Sequence, residues 1–431
     1  MTRPHQQQAR RTALHILKQV ERGDHADQLL DRVTGLTDPD VRLIREIVLG
    51  SITWRSRLDF LLNAYLKHPI SKQKSGIRNL LRLGAYQILF LDRVPVYAVV
   101  SESVELGRRY GKGVSGLINA VLRGLAEGRK SVLFPDKESN PALQLATELS
   151  YPEWMVKRWL QRIGYARTKA LCEAGNVRPP ITIRVNQKRA TLDSLIDALT
   201  TEGIETETIP DLPDFCRIVT PAGVFDSQPF MKGWFSVQGT GAGRAARLLE
   251  VTSGQSVLDV CAAPGGKAMS AAERGARVIA SDINIPRLRP LLQNRARLGL
   301  SYVILASDAR ELPYSSTFDH VIVDAPCTGL GILSRHPEIR WHRKLDDIAR
   351  MALLQREILA SAANYVSRGG TLVYSTCSIE PEENEQVVED FLDSNPAFRL
   401  DQDSKVPPTV NFLPSADGTD GVYGVRMRKS P

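Results

Sequence analysis

The sequence predicts a multidomain protein: an N-terminal all-α bundle, a small α/β insert, and a C-terminal α/β domain on a mostly parallel sheet. Three observations predict it. Residues 5–130 carry helical periodicity almost without interruption. From Ile181 short strands and helices mix, and after residue 250 Val/Ile-rich runs alternate regularly with helical segments. Such alternation means parallel strands joined by crossover helices, a doubly wound sheet.

In the first segment Ala13, Leu14, Ile16, Leu17 and Val20 form one apolar stripe of a helix over 9–21. The next helix, 38–50, has an acidic start and a glycine stop at Gly50. Residues 77–91 interleave arginines with Leu, Ile and Tyr, and helices over 97–110 and 113–125 follow. The expected product is a bundle, residues 1–140, with arginines at its rim. A polar, turn-rich stretch over 128–141 is the expected linker. Helical texture resumes at 152–162. Strand 181–185, helix 191–201 and short strands near 205–209 and 215–219 complete the insert, residues 141–235 with its linker helices. The last domain, 236–431, takes strands at 255–260, 277–282, 302–306, 318–324 and 370–375, and helices from Pro286, over 345–366 and from Pro381.

The chain's 431 residues, 42% of them hydrophobic, can build two or three cores. No apolar run approaches a membrane span and the start lacks the apolar segment of a secretory signal, so a cytoplasmic protein with no membrane partner is expected. Five cysteines (Cys172, Cys216, Cys261, Cys327, Cys377) are odd in number, widely spaced and free of CxxC, which argues against a disulfide framework and a zinc cluster. The seven histidines are scattered, so no metal is expected, and no feature asks for an obligate protein partner. The net charge of +8 is unevenly held. Residues 1–140 contain 23 Lys+Arg against 14 Asp+Glu, and the remainder 33 against 34, so the whole excess lies in the first third. That asymmetry fits a nucleic-acid-binding segment, with a basic solvated face as the plainer reading.

Between the first two strands of the last domain stands Asp259-Val-Cys261-Ala262-Ala263-Pro264-Gly265-Gly266-Lys267. Small residues let the backbone approach a ligand, and a helix start supplies free N–H groups. The string is neither the dinucleotide GxGxxG nor a P-loop. Asp282 ends the next strand, where an acid can bind ribose hydroxyls; Asp308 follows the third strand and Asp324 ends the fourth. A helix cap accounts for any one of these aspartates but not for the set. Acidic strand ends without a phosphate-binding lysine pattern fit a nucleoside carrying a cation, such as S-adenosylmethionine.

Cys172 and Cys216 read as small buried hydrophobes, and Cys261 as packing under the glycine turn. Cys327 and Cys377 differ, because each follows a buried strand and opens onto small polar residues, where ligands bind in open α/β sheets. A helix-start signature over 378–384 directly after Cys377 could stabilise a thiolate. A thiolate beside a methyl donor points to pyrimidine C5 chemistry. C5 is a poor nucleophile until a thiolate adds to C6, and loss of the C5 proton later expels the enzyme.

Three strings, Asp259 to Lys267, Asp324-Ala-Pro-Cys-Thr-Gly-Leu-Gly331 and Ser375-Thr-Cys-Ser-Ile-Glu-Pro-Glu-Glu-Asn-Glu385, resemble the RNA cytosine-C5 methyltransferases of the NOL/NOP2/Sun family. The first third resembles the NusB-type RNA-binding bundle. The resemblance spans nearly the whole chain. It implies a Rossmann-like class I methyltransferase domain behind a NusB-like bundle, acting on a cytosine of bacterial 16S rRNA, naked or within a pre-ribosomal small subunit. It further implies that residues 261–267 line the S-adenosylmethionine site, with Lys267 also catalytic, that Asp282 binds the ribose, that Asp308 lies by the adenine, and that Asp324, both catalytic and cofactor-binding, lies where methionine and cytosine meet. Cys377, in the Thr-Cys motif, would attack C6 and Cys327, in the Pro-Cys motif, would aid release. DNA cytosine-C5 methyltransferases instead use the Pro-Cys thiol as nucleophile; the additional Thr-Cys cysteine favours the RNA arrangement. Arg184-Val-Asn186 and Asp420-Gly-Val-Tyr423 resemble flanking family signatures. One departure is Gly239, where the family usually carries an acid after Val237-Gln238. A tRNA or 23S rRNA target, or an RNA-binding assembly factor with a vestigial core, are the alternatives.

Overall fold

The computed structural model describes residues 4–128, 131–220, 223–403, 406–415 and 418–431, so Arg129 and Lys130 of the expected linker lie outside the described residues. The chain forms two compact units, Met1–Asn176 with Leu333–Arg343, and Val177–Ile332 with Lys344–Pro431.

The first unit is helical: Pro4–Val20, Ala26–Leu30, Asp38–Thr53, Arg55–Asn63, Ser75–Phe90, Val96–Gly107, Val114–Gly128, Pro141–Glu148 and Glu153–Ala174, the last broken at Gly164. The stripe read from the first helix is buried, with Ala13, Leu14, Ile16, Leu17 and Val20 at most 4% exposed. Two expectations need correcting. Gly50 does not stop its helix, which continues to Thr53; it is small because a Cβ there would run into the ring of Tyr86. Nor do the arginines all lie at the rim. Arg10 is buried between Glu102 (2.9 Å) and Gln87 (2.8 Å), Arg82 pairs with Asp59 at 2.7 Å, and Arg78 pairs with Glu21 at 2.7 Å. Buried charges persist only when paired, so part of the basic excess is internal and neutralised.

Past residue 140 the chain stays with this unit. The Ser56 N–H donates to Ser150 Oγ (2.9 Å), and Arg57 donates to the Glu148 carbonyl (3.1 Å). Leu333–Arg343, which linear reading places inside 236–431, packs here too. Arg340 is fully buried, donating to the carbonyls of Ser150 (3.1 Å) and Gly175 (3.0 Å) and to Asn176 Oδ1 (2.8 Å), with its guanidinium 4.1 Å from the Tyr151 ring centroid. Trp341 Nε1 donates to the Ile52 carbonyl at 2.7 Å.

The second unit contains two sheets. Strands β1 (Ile181–Val185), β2 (Thr206–Thr208), β3 (Phe215–Ile218) and β4 (Phe235–Val237) make an antiparallel sheet in the order β2-β3-β1-β4. The main sheet has β5 (Ser256–Asp259), β6 (Arg277–Asp282), β7 (Val303–Ala306), β8 (Phe318–Asp324), β9 (Val366–Thr376), β10 (Phe398–Leu400), β11 (Thr409–Phe412) and β12 (Val422–Lys429). Its order is β10-β12-β9-β8-β5-β6-β7, with β11 also on β12. β5 to β9 are mutually parallel, while β10, β11 and β12 add an antiparallel margin. Val321 and Val323 face one core and Ile322 the other, so both faces of β8 are covered, and its apolar run is continuous rather than alternating.

The chain runs β5-β6-β7 in one direction and returns to lay β8 and β9 on the other side of β5. β5 and β8 therefore flank a topological switch point, where a crevice opens beyond the carboxyl ends of the strands. Asp259 and Asp324 stand at those two ends. Arg184 and Asn186 join the small sheet to the main one. Arg184 pairs with Glu273 and donates to Gln238 Oε1 (2.7 Å), and Asn186 donates to the carbonyls of Gly233 (2.9 Å) and Leu298 (3.0 Å).

Candidate active site

The glycine turn after β5 leads into helix Gly266–Glu273. Gly265 caps it with φ +110°, and a Cβ there would lie 2.9 Å from Leu291 Cγ, so only glycine fits. The Ala262 N–H donates to the Ser281 carbonyl (2.8 Å) and the Ala263 N–H to Asp282 Oδ2 (3.2 Å), while Pro264 is exposed. Asp282 also accepts from the Asn284 N–H at 2.8 Å. The expected ribose-binding acid and the expected ligand loop are thus held together. Asp308 is engaged elsewhere, bound by Arg310 through both carboxylate oxygens (Nη2 to Oδ2, 2.7 Å). Gly239 caps helix Thr240–Arg247, and its neighbour Gln238 is taken by Arg184.

Lys267 is buried and its Nζ lies 2.6 Å from Asp324 Oδ2; Ser375 Oγ donates to Asp324 Oδ1 at 2.9 Å. Asp259 beside them is fully buried, and among the described residues neither of its oxygens has a hydrogen-bond partner of good geometry. Burial first, and then the charge of Asp324, push its carboxyl up to about 8, against the opposing pull of Lys267 and the Cys261 N–H. Burial, followed by the neighbouring aspartates, pushes the Cys261 thiol well up. Cys172 and Cys216 are buried, as read, with their thiols pushed up to about 12 by burial.

β8 and β9 pair in parallel with Asp324 opposite Ser375, so Cys327 and Cys377 leave the sheet side by side. Their sulfurs are 2.9 Å apart, neither is in a disulfide, and both are partly exposed. The contact with Cys377, then burial, then the charges of Cys377 and Glu383 push the Cys327 thiol well up. Gly331 permits this approach. Its N–H donates to the Cys377 carbonyl (2.8 Å), and a Cβ would fall 2.7 Å from that oxygen and from the Gly421 carbonyl. The expected helix start directly after Cys377 needs correction: residues Pro381–Glu383 form a 3₁₀ turn and the helix begins at Glu385. Asn384 and Glu383 bond back to the loop instead, with Thr376 Oγ1 donating to Asn384 Oδ1 at 2.6 Å.

Sequence reading missed Glu383 as a separate group. It also could not see that the fold draws His25, Asp27 and Glu338 together, their ligand atoms within 4.8 Å of one another. There Glu338 accepts the Ala26 N–H at 3.2 Å and so serves the start of helix Ala26–Leu30.

A doubly wound sheet with a glycine turn, acids at its switch point and two apposed thiols, carried with a helical bundle, defines a Rossmann-like methyltransferase joined to a NusB-like unit. Residues 246–428 match the model for 16S rRNA methyltransferase RsmB/F, 7–127 the NusB family, and 151–224 the ferredoxin-like domain of RsmF/B-like methyltransferases. The chain belongs to the RsmB/F family of methyltransferases. It is 35% identical over 413 residues to the probable ribosomal RNA small subunit methyltransferase B of Bacillus subtilis, covering 91% of this chain and 92% of that one. It is 34% identical over 420 residues to the ribosomal RNA small subunit methyltransferase B of Klebsiella pneumoniae, covering 95% of each. Among solved structures, PH0851 superposes with TM-score 0.83 at 25% identity over both full chains. A methyltransferase homolog from Pyrococcus horikoshii gives 0.59 at 27% identity, covering 67% of this chain and 99% of that one. Among the described residues no helix is long and apolar enough to cross a membrane.

Proposed function

We propose that this protein methylates C5 of one cytosine in 16S rRNA through a covalent adduct between Cys377 and C6, with S-adenosylmethionine as methyl donor. The observation that carries the reading is the pair of thiols 2.9 Å apart, next to an ion-paired lysine and aspartate at the switch point of the sheet. The names of the relatives support small-subunit rRNA as the substrate. The donor set suits a cationic nucleoside: the oxygens of Asp259 lack good hydrogen-bond partners, Asp282 and Asp324 are acidic, and the turn of residues 261–267 is kept small. Asp282 would take the ribose, the 261–267 turn the methionine end, and Asp308, on releasing Arg310, the adenine side.

Cys377 Sγ forms a bond to C6, and the C5–C6 π pair moves to C5. When bound, S-adenosylmethionine supplies the sulfonium methyl that C5 accepts. The C5 proton then passes to water, the electron pair restores C5–C6, and the bond from Cys377 to C6 breaks. Cys327 assists by donating its S–H to the departing Cys377 sulfur. Asp324, held by Lys267 and Ser375 and 37% exposed, accepts from the amino edge of the cytosine. The target base must be unstacked to reach this crevice.

Bisulfite sequencing of RNA from cells lacking the protein tests the reading. One 16S cytosine should lose protection and regain it with the wild-type chain but not with Cys377→Ala. An unchanged 16S pattern, or a change confined to tRNA or 23S rRNA, overturns it. Asp259 adds a pH dependence. Protonated in the free protein below about 8, it should ionise beside a bound cation. Binding of S-adenosylmethionine should therefore release a proton at pH 7 and tighten as pH rises towards 8. Calorimetry in two buffers of different ionisation enthalpy reads that release, which Asp259→Asn should remove.

A further inference from the structure

We propose that Glu383 is the positioning residue that divides labour between the two thiols, locking both cysteine loops and keeping Cys327 the proton-bearing partner of Cys377. The proposal rests on the reading above, in which Cys377 is the nucleophile. Glu383 is fully buried. Its Oε1 accepts the Thr328 N–H (2.8 Å) and Gln355 Nε2 (3.0 Å). Its Oε2 meets the Thr328 hydroxyl and Ser378 Oγ (2.5 Å). Thr328 follows Cys327 and Ser378 follows Cys377, so one carboxylate ties the residue after each thiol.

Two of those four groups are N–H donors that cannot accept, and two are hydroxyls free to donate, so the site suits an ionised carboxylate. Burial opposes that ionisation and leaves the carboxyl's pKa raised on balance, although the four bonds pull it back down. A fixed negative charge so close makes a second negative charge on Cys327 unfavourable. The other titratable groups around Cys327 do not reverse this. Cys377 and the Tyr374 phenol, which donates to the Glu383 carbonyl at 2.6 Å, bring no positive charge, and Lys267 is spent on Asp324. Cys327 therefore stays a thiol that can donate to Cys377 across the 2.9 Å contact, which assists Cys377 as a leaving group.

The test is alkylation of the full-length protein by iodoacetamide without RNA, with each cysteine followed by peptide mass spectrometry. In the wild type at pH 8, Cys377 should react at least about tenfold faster than Cys327, the equivalent of one pKa unit. Glu383→Gln keeps the size but removes the charge, and should raise the Cys327 rate by about tenfold. An unchanged Cys327 rate in a Glu383→Gln protein of unaltered melting temperature overturns the proposal, as does faster wild-type labelling of Cys327. Should Glu383→Gln not fold, the pH profile of Cys327 in a Cys377→Ser protein decides. Labelling should remain low into alkaline pH, and a midpoint near the ordinary ~8.5 rejects the role for Glu383. Because no substrate is present, thiols that label as expected in a protein that fails to methylate cytosine would sink the proposed reaction while leaving this assignment standing.

Discussion

Replacing Cys377 with alanine is expected to reduce methyl transfer by at least about 10⁴-fold, the scale seen when a covalent nucleophile is removed, and to leave no protein–RNA adduct. The reason is chemical: without addition at C6 there is no electron-rich C5, and no neighbouring group can substitute, because Cys327 is held as a thiol. The fold should survive. Cys377 is partly exposed, and its loop is held mainly by backbone and by Thr376, Ser378 and Asn384 rather than by the sulfur. Methyl transfer to 16S rRNA by purified protein of unchanged melting temperature is the measurement. Residual turnover within tenfold of wild type would remove Cys377 from the mechanism.

Cys327→Ala should fail differently. Addition and methyl transfer remain available, but the departing Cys377 sulfur loses the S–H donor 2.9 Å away. Turnover should fall by about 10²- to 10⁴-fold, the range of general acid–base assistance, and the adduct should accumulate as a slow band on a denaturing gel with labelled RNA. The two variants form a pair whose order matters. An adduct with Cys377→Ala and none with Cys327→Ala would make the Pro-Cys thiol the nucleophile, as in the DNA enzymes.

How much of this was legible in the sequence depends on the range of each interaction. The central strands were readable because β5, β6, β8 and β9 each carry a short continuous apolar run (Val257-Leu258, Val278-Ile279-Ala280, Val321-Ile322-Val323, Leu372-Val373-Tyr374) whose residues enter the cores on both faces of the sheet. The antiparallel margin was not. β12 reads Val-Tyr-Gly-Val-Arg-Met-Arg-Lys, and its Arg426 and Arg428 look like solvent residues until Asp401 is seen pairing with both, at 3.0 and 2.8 Å. The acidic strand ends were legible as a set, yet whether each is open, paired or protonated was not. Asp308 carries Arg310, Asp324 carries Lys267, and Asp259 is pushed towards its neutral form by burial. Likewise Arg10 and Arg82 were read as part of a basic rim, although their carboxylate partners lie 92 and 23 residues away in sequence, at Glu102 and Asp59.

By itself the sequence determined the layering of an all-α unit, a small insert and a parallel sheet, and the position of both thiols at strand ends. Those features follow from periodicity, turn chemistry and β-branched runs, which act over a few residues. Only the tertiary structure decided that Leu333–Arg343 packs with the helical unit, that the two sulfurs lie 2.9 Å apart, and that Glu383 ties both of their loops. Those outcomes depend on side chains 5 to 55 residues apart in sequence, or in the case of Arg340 and Ser150 on residues 190 apart. Only packing and the need to satisfy every buried polar group bring such residues into contact.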